Sequence, residues 1–345
     1  LEKDLFSNDS EYRNISNSDT EFVLKLYEKY KDRYFHKFEG MFAFIIWDNS
    51  TKELVFSRDY FGKKPLYFTK FKGNLFFSSE IKSLKKVITP DHFILNDKSI
   101  VEYLGFGYPV SDQTIYKKIE RLKKNTTAIV KLDGSYKEKR IYTEDFFKNS
   151  ENNEDLINFG NIFTKSVEKR VKNIDNFNLL FSGGIDSTLI LIELLKLDKK
   201  IKCIHVLTEK DKKNNLKYIN KLSKKMNLNL DIIDSEDINQ IDFYERVIKN
   251  FSEPNSDISI IPTYQAYSKC ENKVAINGDG GDELFIGYRR HTLSYYVNFL
   301  RILTNIPFNK LYDNKLFNSI TNDHFNNIQN LSGHYISTKE KNLYI

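Results

Sequence analysis

The peptide Ser182-Gly183-Gly184-Ile185-Asp186-Ser187 joins an apolar run that predicts a strand, FNLLF (177–181), to a Leu- and Ile-rich run that predicts a helix. Backbone N–H groups at such a corner are free at a helix N-terminus, a geometry that binds anions. Glycines let the backbone approach a phosphate closely and accept positive φ, and the hydroxyls of Ser182, Ser187 and Thr188 add donors. Asp186 beside a phosphate nest is repulsive unless a cation lies between, so it suggests Mg²⁺. A glycine turn capping an ordinary helix is the bland alternative. The chain contains no GxxxxGK[ST], which disfavours Walker-type γ-phosphate chemistry.

A second glycine corner, Asn277-Gly278-Asp279-Gly280-Gly281-Asp282-Glu283-Leu284-Phe285-Ile286-Gly287-Tyr288, follows the strand-like KVAIN (273–277). Clustered carboxylates there are costly unless a cation or a substrate ammonium group is present. A solvated acidic turn is the bland alternative for this motif.

These corners need a scaffold. From FNLLF onward strands alternate with helices: IKCIHVL (201–207), the helix NLKYINKLSKKMN, LDIID (230–234), helices to about Lys269, then KVAIN. That alternation predicts a parallel sheet with right-handed crossovers, covered on both faces. Ligands of such sheets bind at the carboxyl ends of strands, so both corners are expected on one rim, with Asp186 and Asp282 sharing one Mg²⁺.

Residues 1 to about 145 read differently. GMFAFIIWD and ELVFSRD flank the turn Asn49 to Lys52, PLYFTKF and NLFFSSE flank a Lys-Gly turn, and TTAIVKL and SYKEKRIY flank Asp133-Gly134. These are antiparallel hairpins. Ser18-Asp19-Thr20-Glu21 has the capping-box pattern and starts a helix with Phe22, Leu26 and Tyr30 on one face. The polar stretch from Thr143 to Glu154 reads as the linker, giving domains 1–145 and 146–345. The fold class is therefore α/β overall, with an N-terminal α+β antiparallel-sheet domain and a C-terminal parallel-sheet α/β domain.

Composition sets limits. No apolar run approaches the roughly 18 residues of a membrane span, and a mean hydropathy of -0.52 is that of a soluble chain. A charge of +6, from 53 basic and 47 acidic residues, is too mild and dispersed for a nucleic-acid groove. Cys203 and Cys270 form no CxxC pair, which fits a reducing cytosol, and Cys203 reads as a buried structural thiol. The histidines at 36, 92, 205, 291, 324 and 334 show no metal spacing and read as structural or surface residues.

SGGIDS resembles the PP-loop of adenine-nucleotide α-hydrolase-like ATP pyrophosphatases. Together with NGDGGDELFIGY it resembles the synthetase domain of glutamine-dependent asparagine synthetases. SDTEFVLKLYEKY, FEGMFAFIIWD, SRDYFGKKPLYF and SSEIKSL resemble that family's Ntn hydrolase-like glutaminase domain, and SEPNSDISIIPTY its segment between the nucleotide corners. The resemblance implies ATP and Mg²⁺, with aspartate and glutamine as the other substrates, a cytoplasmic location and a homodimer. Thiolating and NAD-forming PP-loop enzymes lack the DGGDELxxGY turn and the hairpin domain in front.

Carried onto this sequence, the resemblance places Phe181, Ser182, Gly183, Gly184, Asp186 and Ser187 at ATP, and Val206 at its adenine end. Asn277 and Gly278 would lie near its ribose. Asp279 occupies the acidic position linked to forming the β-aspartyl adenylate. Asp186 and Asp282 match the metal–pyrophosphate aspartates, and Tyr288 closes the motif. Glu253 and Asp257 would help shape the aspartate site. Asp19 matches the aspartate that holds the α-amino group of glutamine, although an acid favouring a helix N-terminus fits it equally.

The sequence also departs from the family. The chain begins with Leu1 rather than the nucleophilic N-terminal cysteine, and the glutamine-binding arginine loop and the NGEIYN-like segment would lie upstream. The late lysine-bearing KxDRASM-like segment is not found before Ile345. These departures suggest a piece, cut at both ends, of a longer enzyme. Ile286 stands where glycine is usual, and Lys124-Asn125 where Pro-Gly is usual. Another carboxylate acceptor, or a nucleotide-binding remnant without turnover, are the competing expectations.

Overall fold

Short polar turns reverse the chain between the strand-forming runs of the first half. The computed structural model describes residues 18–109, 112–142, 154–207, 216–234, 240–257, 259–285 and 287–288. The chain forms two compact units, one of residues 1–152 with Ser252–Asn255, the other of the remainder. The expected boundary between 145 and 146, most of the expected linker and Ile286 lie outside the described residues.

In the first unit helix α1 (Asp19–Tyr30) starts at Ser18, whose extended backbone makes it the N-cap. Strands β1 (Ala43–Asp48), β2 (Glu53–Arg58), β6 (Thr126–Lys131) and β7 (Tyr136–Arg140) form an antiparallel sheet in the order β1-β2-β6-β7. A smaller sheet pairs β4 (Asn74–Ser78), β3 (Tyr67–Phe71) and β5 (Glu120–Arg121), also antiparallel. Lys72 and Gly73 at the β3–β4 turn have φ of 48° and 80°. Two successive positive values suit the right-handed twist of a tight hairpin. Phe22, Leu26, Phe35, Phe38, Ile46 and Val55 make one core, each large side chain contributing roughly 2 kcal/mol on burial. Helices α2 (Ile81–Leu84) and α3 (Asp97–Phe106) complete the described elements other than short 3₁₀ turns.

The segment SRDYFGKKPLY is held by its own buried charges. The Arg58 guanidinium donates to the carbonyls of Lys64, Leu122 and Gly62 at 2.9, 2.7 and 2.6 Å. Asp59 accepts the N–H groups of Lys63 and Lys64, both at 3.0 Å. Asn125 has φ of 58°, the conformation a glycine would take there. Its side-chain amide exchanges two hydrogen bonds with the Tyr142 backbone, each 2.9 Å. The departure from Pro-Gly is thus absorbed.

Asp48, 7% exposed, receives hydrogen bonds from Lys31 at 2.8 Å, from Ser50, and from Tyr27 at 3.1 Å. The Lys31 ammonium, then the Ser50 hydroxyl and the Ser50 and Thr51 N–H groups, hold its carboxyl well below the usual carboxylate range against the opposing effect of burial. A lowered native value means stabilisation that is complete above the unfolded value, near pH 4, and lost as pH falls through the native one. Asp48→Asn is therefore expected to cost about 2 kcal/mol at pH 7, and chemical denaturation from pH 7 to pH 2 should show the gap to wild type narrowing below about pH 4. A constant gap would contradict this account.

The second unit opens with helix α4 (Glu154–Val171), followed by β8 (Asn176–Leu180), α5 (Ile185–Lys196), β9 (Lys200–Leu207), α6 (Leu216–Met226) and β10 (Asn229–Asp234). Helices α7 (Gln240–Asn250) and α8 (Ile260–Ser268) lead to β11 (Ala275–Ile276) and the short helix α9 (Gly281–Phe285). All four strands are parallel, in the order β10-β9-β8-β11. The α/β class with antiparallel sheets first and a parallel sheet second is what the structure contains. Val167, Val171, Phe177, Leu179, Phe181, Leu191, Leu194, Cys203 and Ile219 form its core. Burial pushes the Cys203 thiol up to about 12, so it is an inert core residue, as expected. Among the described residues no helix is long and apolar enough to cross a membrane.

Candidate functional site

The chain runs outward from β8 to β9 and β10, then returns to place β11 on the other side of β8. The crevice at the carboxyl ends of β8 and β11 is therefore the point where strand order reverses, the usual ligand position of an open parallel sheet. Ala275 and Ile276 pair with Asn178 and Leu179, so the two glycine corners leave neighbouring strands at the same edge.

At the first corner Gly183 has φ of 77°, and a Cβ there would lie 2.2 Å from Ile219 Cδ1. A larger residue would be strained by that φ and would have to push the Ile219 side chain of α6 aside. Gly184 is the extended N-cap of α5. Its N–H donates to Ser182 Oγ at 3.2 Å, Ser182 Oγ lies 3.0 Å from Ser187 Oγ, and Ser187 Oγ donates to the Gly184 carbonyl at 3.3 Å. The two hydroxyls thus brace the loop that presents the free N–H groups.

The second corner packs directly on the first. A Cβ at Gly278 would sit 3.1 Å from Asp186 Cβ, and one at Gly281 would sit 2.7 Å from Asp186 Cγ. Tyr288 donates to Glu283 at 2.7 Å, and the Gly287 N–H bonds the Asp282 carbonyl at 2.9 Å, which folds the acidic turn back on α9. A cavity of about 530 Å³ opens between the corners, lined by Phe181, Ser182, Gly184, Asp186, Ser187, Val206, Asp257, Asn277, Gly278, Asp279, Asp282, Glu283 and Tyr288 among others.

Five carboxylates, those of Asp186, Asp257, Asp279, Asp282 and Glu283, line this cavity, and among the described residues no lysine or arginine does. A polyanion enters such a place only with a cation. Carboxylate oxygens are the hard donors Mg²⁺ takes, so the donor chemistry fits. Among the described residues no three His, Cys, Asp or Glu side chains are grouped to hold a metal. The protein would supply Asp186 and Asp282, and phosphate oxygens and water the remaining ligands.

His205, read from the sequence as structural, also lines the cavity. Its Nδ1 donates to the Phe181 carbonyl at 2.8 Å and so ties β9 to the start of the glycine loop. The signal was its place at the carboxyl end of β9, beside Val206. Thr188, expected as a further donor, is absent from the lining; its Oγ1 is buried without a hydrogen-bond partner among the described residues.

The first unit has its own cavity, of about 710 Å³, walled by β1 and by Asp19, Thr20, Glu39, Lys64, Pro65 and Glu80. Asp19 is exposed at the start of α1. The loop pinned by Arg58 and Asp59 is the one that presents Lys64 and Pro65.

Residues 158–337 match the asparagine synthase family, a stretch spanning more than half of the chain. The chain belongs to the asparagine synthase family. Residues 1–142 match the glutamine amidotransferase domain. The chain is 26% identical over 280 residues to asparagine synthetase (glutamine-hydrolyzing) 1 of Bacillus subtilis, covering 79% of this chain and 43% of that protein. Putative asparagine synthetases (glutamine-hydrolyzing) 2 and 1 of Methanocaldococcus jannaschii are 28% and 31% identical, covering 83% and 81% of this chain and 57% and 50% of theirs. The chain spans about half the length of these curated relatives.

Against the residues the asparagine synthase resemblance singled out, the structure gathers all but two on the wall of the second unit's cavity or, for Asp19, of the first unit's. Gly183 faces Ile219 rather than the cavity. Glu253, expected near the aspartate site, belongs instead to the first unit. Its carboxylate accepts the Tyr67 hydroxyl at 2.9 Å and the Ile115 N–H at 3.1 Å, and pairs with Arg121 at 3.5 Å. Both oxygens are committed to packing, which a sequence motif does not reveal.

Proposed function

We propose that the complete protein is a glutamine-hydrolysing asparagine synthetase that adenylates aspartate on ATP and amidates the product with ammonia taken from glutamine. The observation that carries this reading is the Asp186 carboxylate seated against Gly278 and Gly281, which joins a phosphate-type loop to an acidic turn at one switch point. Aspartate's β-carboxylate oxygen forms a bond to the α-phosphorus as the α–β bridging bond breaks, and pyrophosphate leaves. Ammonia then attacks the acyl carbon and AMP departs with loss of a proton.

In this reading the loop N–H groups from Ile185 onward hold pyrophosphate oxygens. Phe181 and Val206 flank the adenine, Gly278 lies by the ribose, and Asp279 and Asp257 face the aspartate. Asp186 and Asp282 would hold Mg²⁺, which when bound neutralises polyphosphate charge and so permits a carboxylate to approach. The chain's own contribution is alignment in a fixed cavity, the largest gain open to a reaction between two anions. In the first unit Asp19 would receive the α-amino group of glutamine.

Pyrophosphate exchange into ATP by the full-length gene product tests the reading. Exchange that depends on aspartate is expected; exchange indifferent to aspartate points to another carboxylate acceptor, and its absence sinks the adenylating step.

A further inference from the structure

The Asn277 side chain is tied into the acidic corner by three hydrogen bonds. Its Nδ2 donates to Asp279 Oδ2 at 2.6 Å and to the Tyr267 hydroxyl oxygen at 3.2 Å, while its Oδ1 accepts the Asp279 N–H at 3.4 Å. An amide offers two N–H donors, and both have partners here. A bond from this amide's N–H groups to a ribose oxygen would have to break one of them.

The three residues stand in a sequence of support. Asp279 lines the cavity, and Asn277 lies between it and Tyr267, which stands on α8 outside the lining. Burial, then the charge of Asp279, raises the Tyr267 phenol, so it stays neutral and adds no second anion beside the first. Charge-assisted bonds of this kind are short and directional.

We propose that Asn277 is a positioning residue, whose amide, braced by Tyr267, aims the Asp279 carboxylate into the cavity. This rests on the reading of the cavity as the adenylating site with Asp279 facing the acceptor. It assigns Asn277 a partner within the protein in place of the nucleotide.

The test is a double-mutant cycle on the full-length product with Asn277→Ala, Asp279→Ala and both, supplemented by Tyr267→Phe. Asn277→Ala should slow aspartate-dependent pyrophosphate exchange by about 30-fold with MgATP affinity unchanged within about twofold. The double variant should be no slower than Asp279→Ala, since the two side chains act as one unit. Tyr267→Phe should give a smaller loss in the same direction. Additive losses, or a tenfold fall in MgATP affinity in Asn277→Ala, overturn the proposal and return Asn277 to the ribose. If wild type shows no exchange, the adenylating reading alone falls. The crystal structure of Asn277→Ala then decides: a displaced Asp279 carboxylate upholds the positioning role, and an unmoved one ends it.

Discussion

Asp186→Ala is expected to weaken MgATP binding by about 100-fold while leaving metal-free ATP binding unchanged or a few times tighter, a loss of roughly 2.7 kcal/mol with metal and a gain without it. The opposite signs follow from the charge of the cavity. Five carboxylates, with no lysine or arginine among the described lining residues, repel a polyphosphate, and Asp186 is the one seated against the glycines of the second corner. With a cation present, Asp186 supplies a ligand; with the cation chelated, it supplies only repulsion. Desolvation by the cavity walls raises both effects above their values in water. Isothermal titration of ATP in excess Mg²⁺ and again in EDTA reads the two affinities. Equal losses under both conditions would show that Asp186 acts through the fold of the loop, as an ordinary helix-capping turn would.

The elements that carry this chemistry were legible because their residues obey local rules. Strand β8, the glycine turn and α5 follow from an apolar run, two glycines and a leucine-rich run, each constrained by its own stereochemistry. The three hairpins were equally plain, since the turns at Asn49–Lys52, Lys72-Gly73 and Asp133-Gly134 announce themselves. That both corners share one edge needed only the rule that parallel sheets bind ligands at the carboxyl ends of their strands, although the strand order that makes it a switch point is visible only in the fold.

What escaped the sequence lies in contacts between residues far apart in the chain. Glu253 sits in an acidic segment just before Asp257, yet only Asp257 lines the cavity, because Tyr67, Ile115 and Arg121 capture Glu253. No local pattern distinguishes the two. His205 lies in an apolar run and reads as a core histidine; the bond to the Phe181 carbonyl depends on the register Leu180 to Ile204, which periodicity does not fix. The two-residue strand β5 is too short to show alternation.

Gly281→Ala should separate function from stability more sharply than any other single change in the second unit. Gly281 is the first residue of α9 and has no positive φ, so alanine suits its backbone and, by helix propensity, adds up to about 0.5–1 kcal/mol of local stability. Its Cβ, however, would lie 2.7 Å from Asp186 Cγ and 2.8 and 2.9 Å from the two carboxylate oxygens. The carboxylate is the free end of a short side chain and can turn away cheaply, so the fold yields nothing while the group leaves its place. The variant is expected to keep or slightly raise its melting temperature and to reproduce the Asp186→Ala pattern, with MgATP binding weakened by at least about tenfold and metal-free binding spared. Combining the two substitutions should cost no more than Asp186→Ala alone, because the glycine matters only through the carboxylate it accommodates. Melting curves with paired titrations measure each part, and a Gly281→Ala protein that binds MgATP as wild type does would show that the close approach of the two corners is not what holds the metal-bound nucleotide.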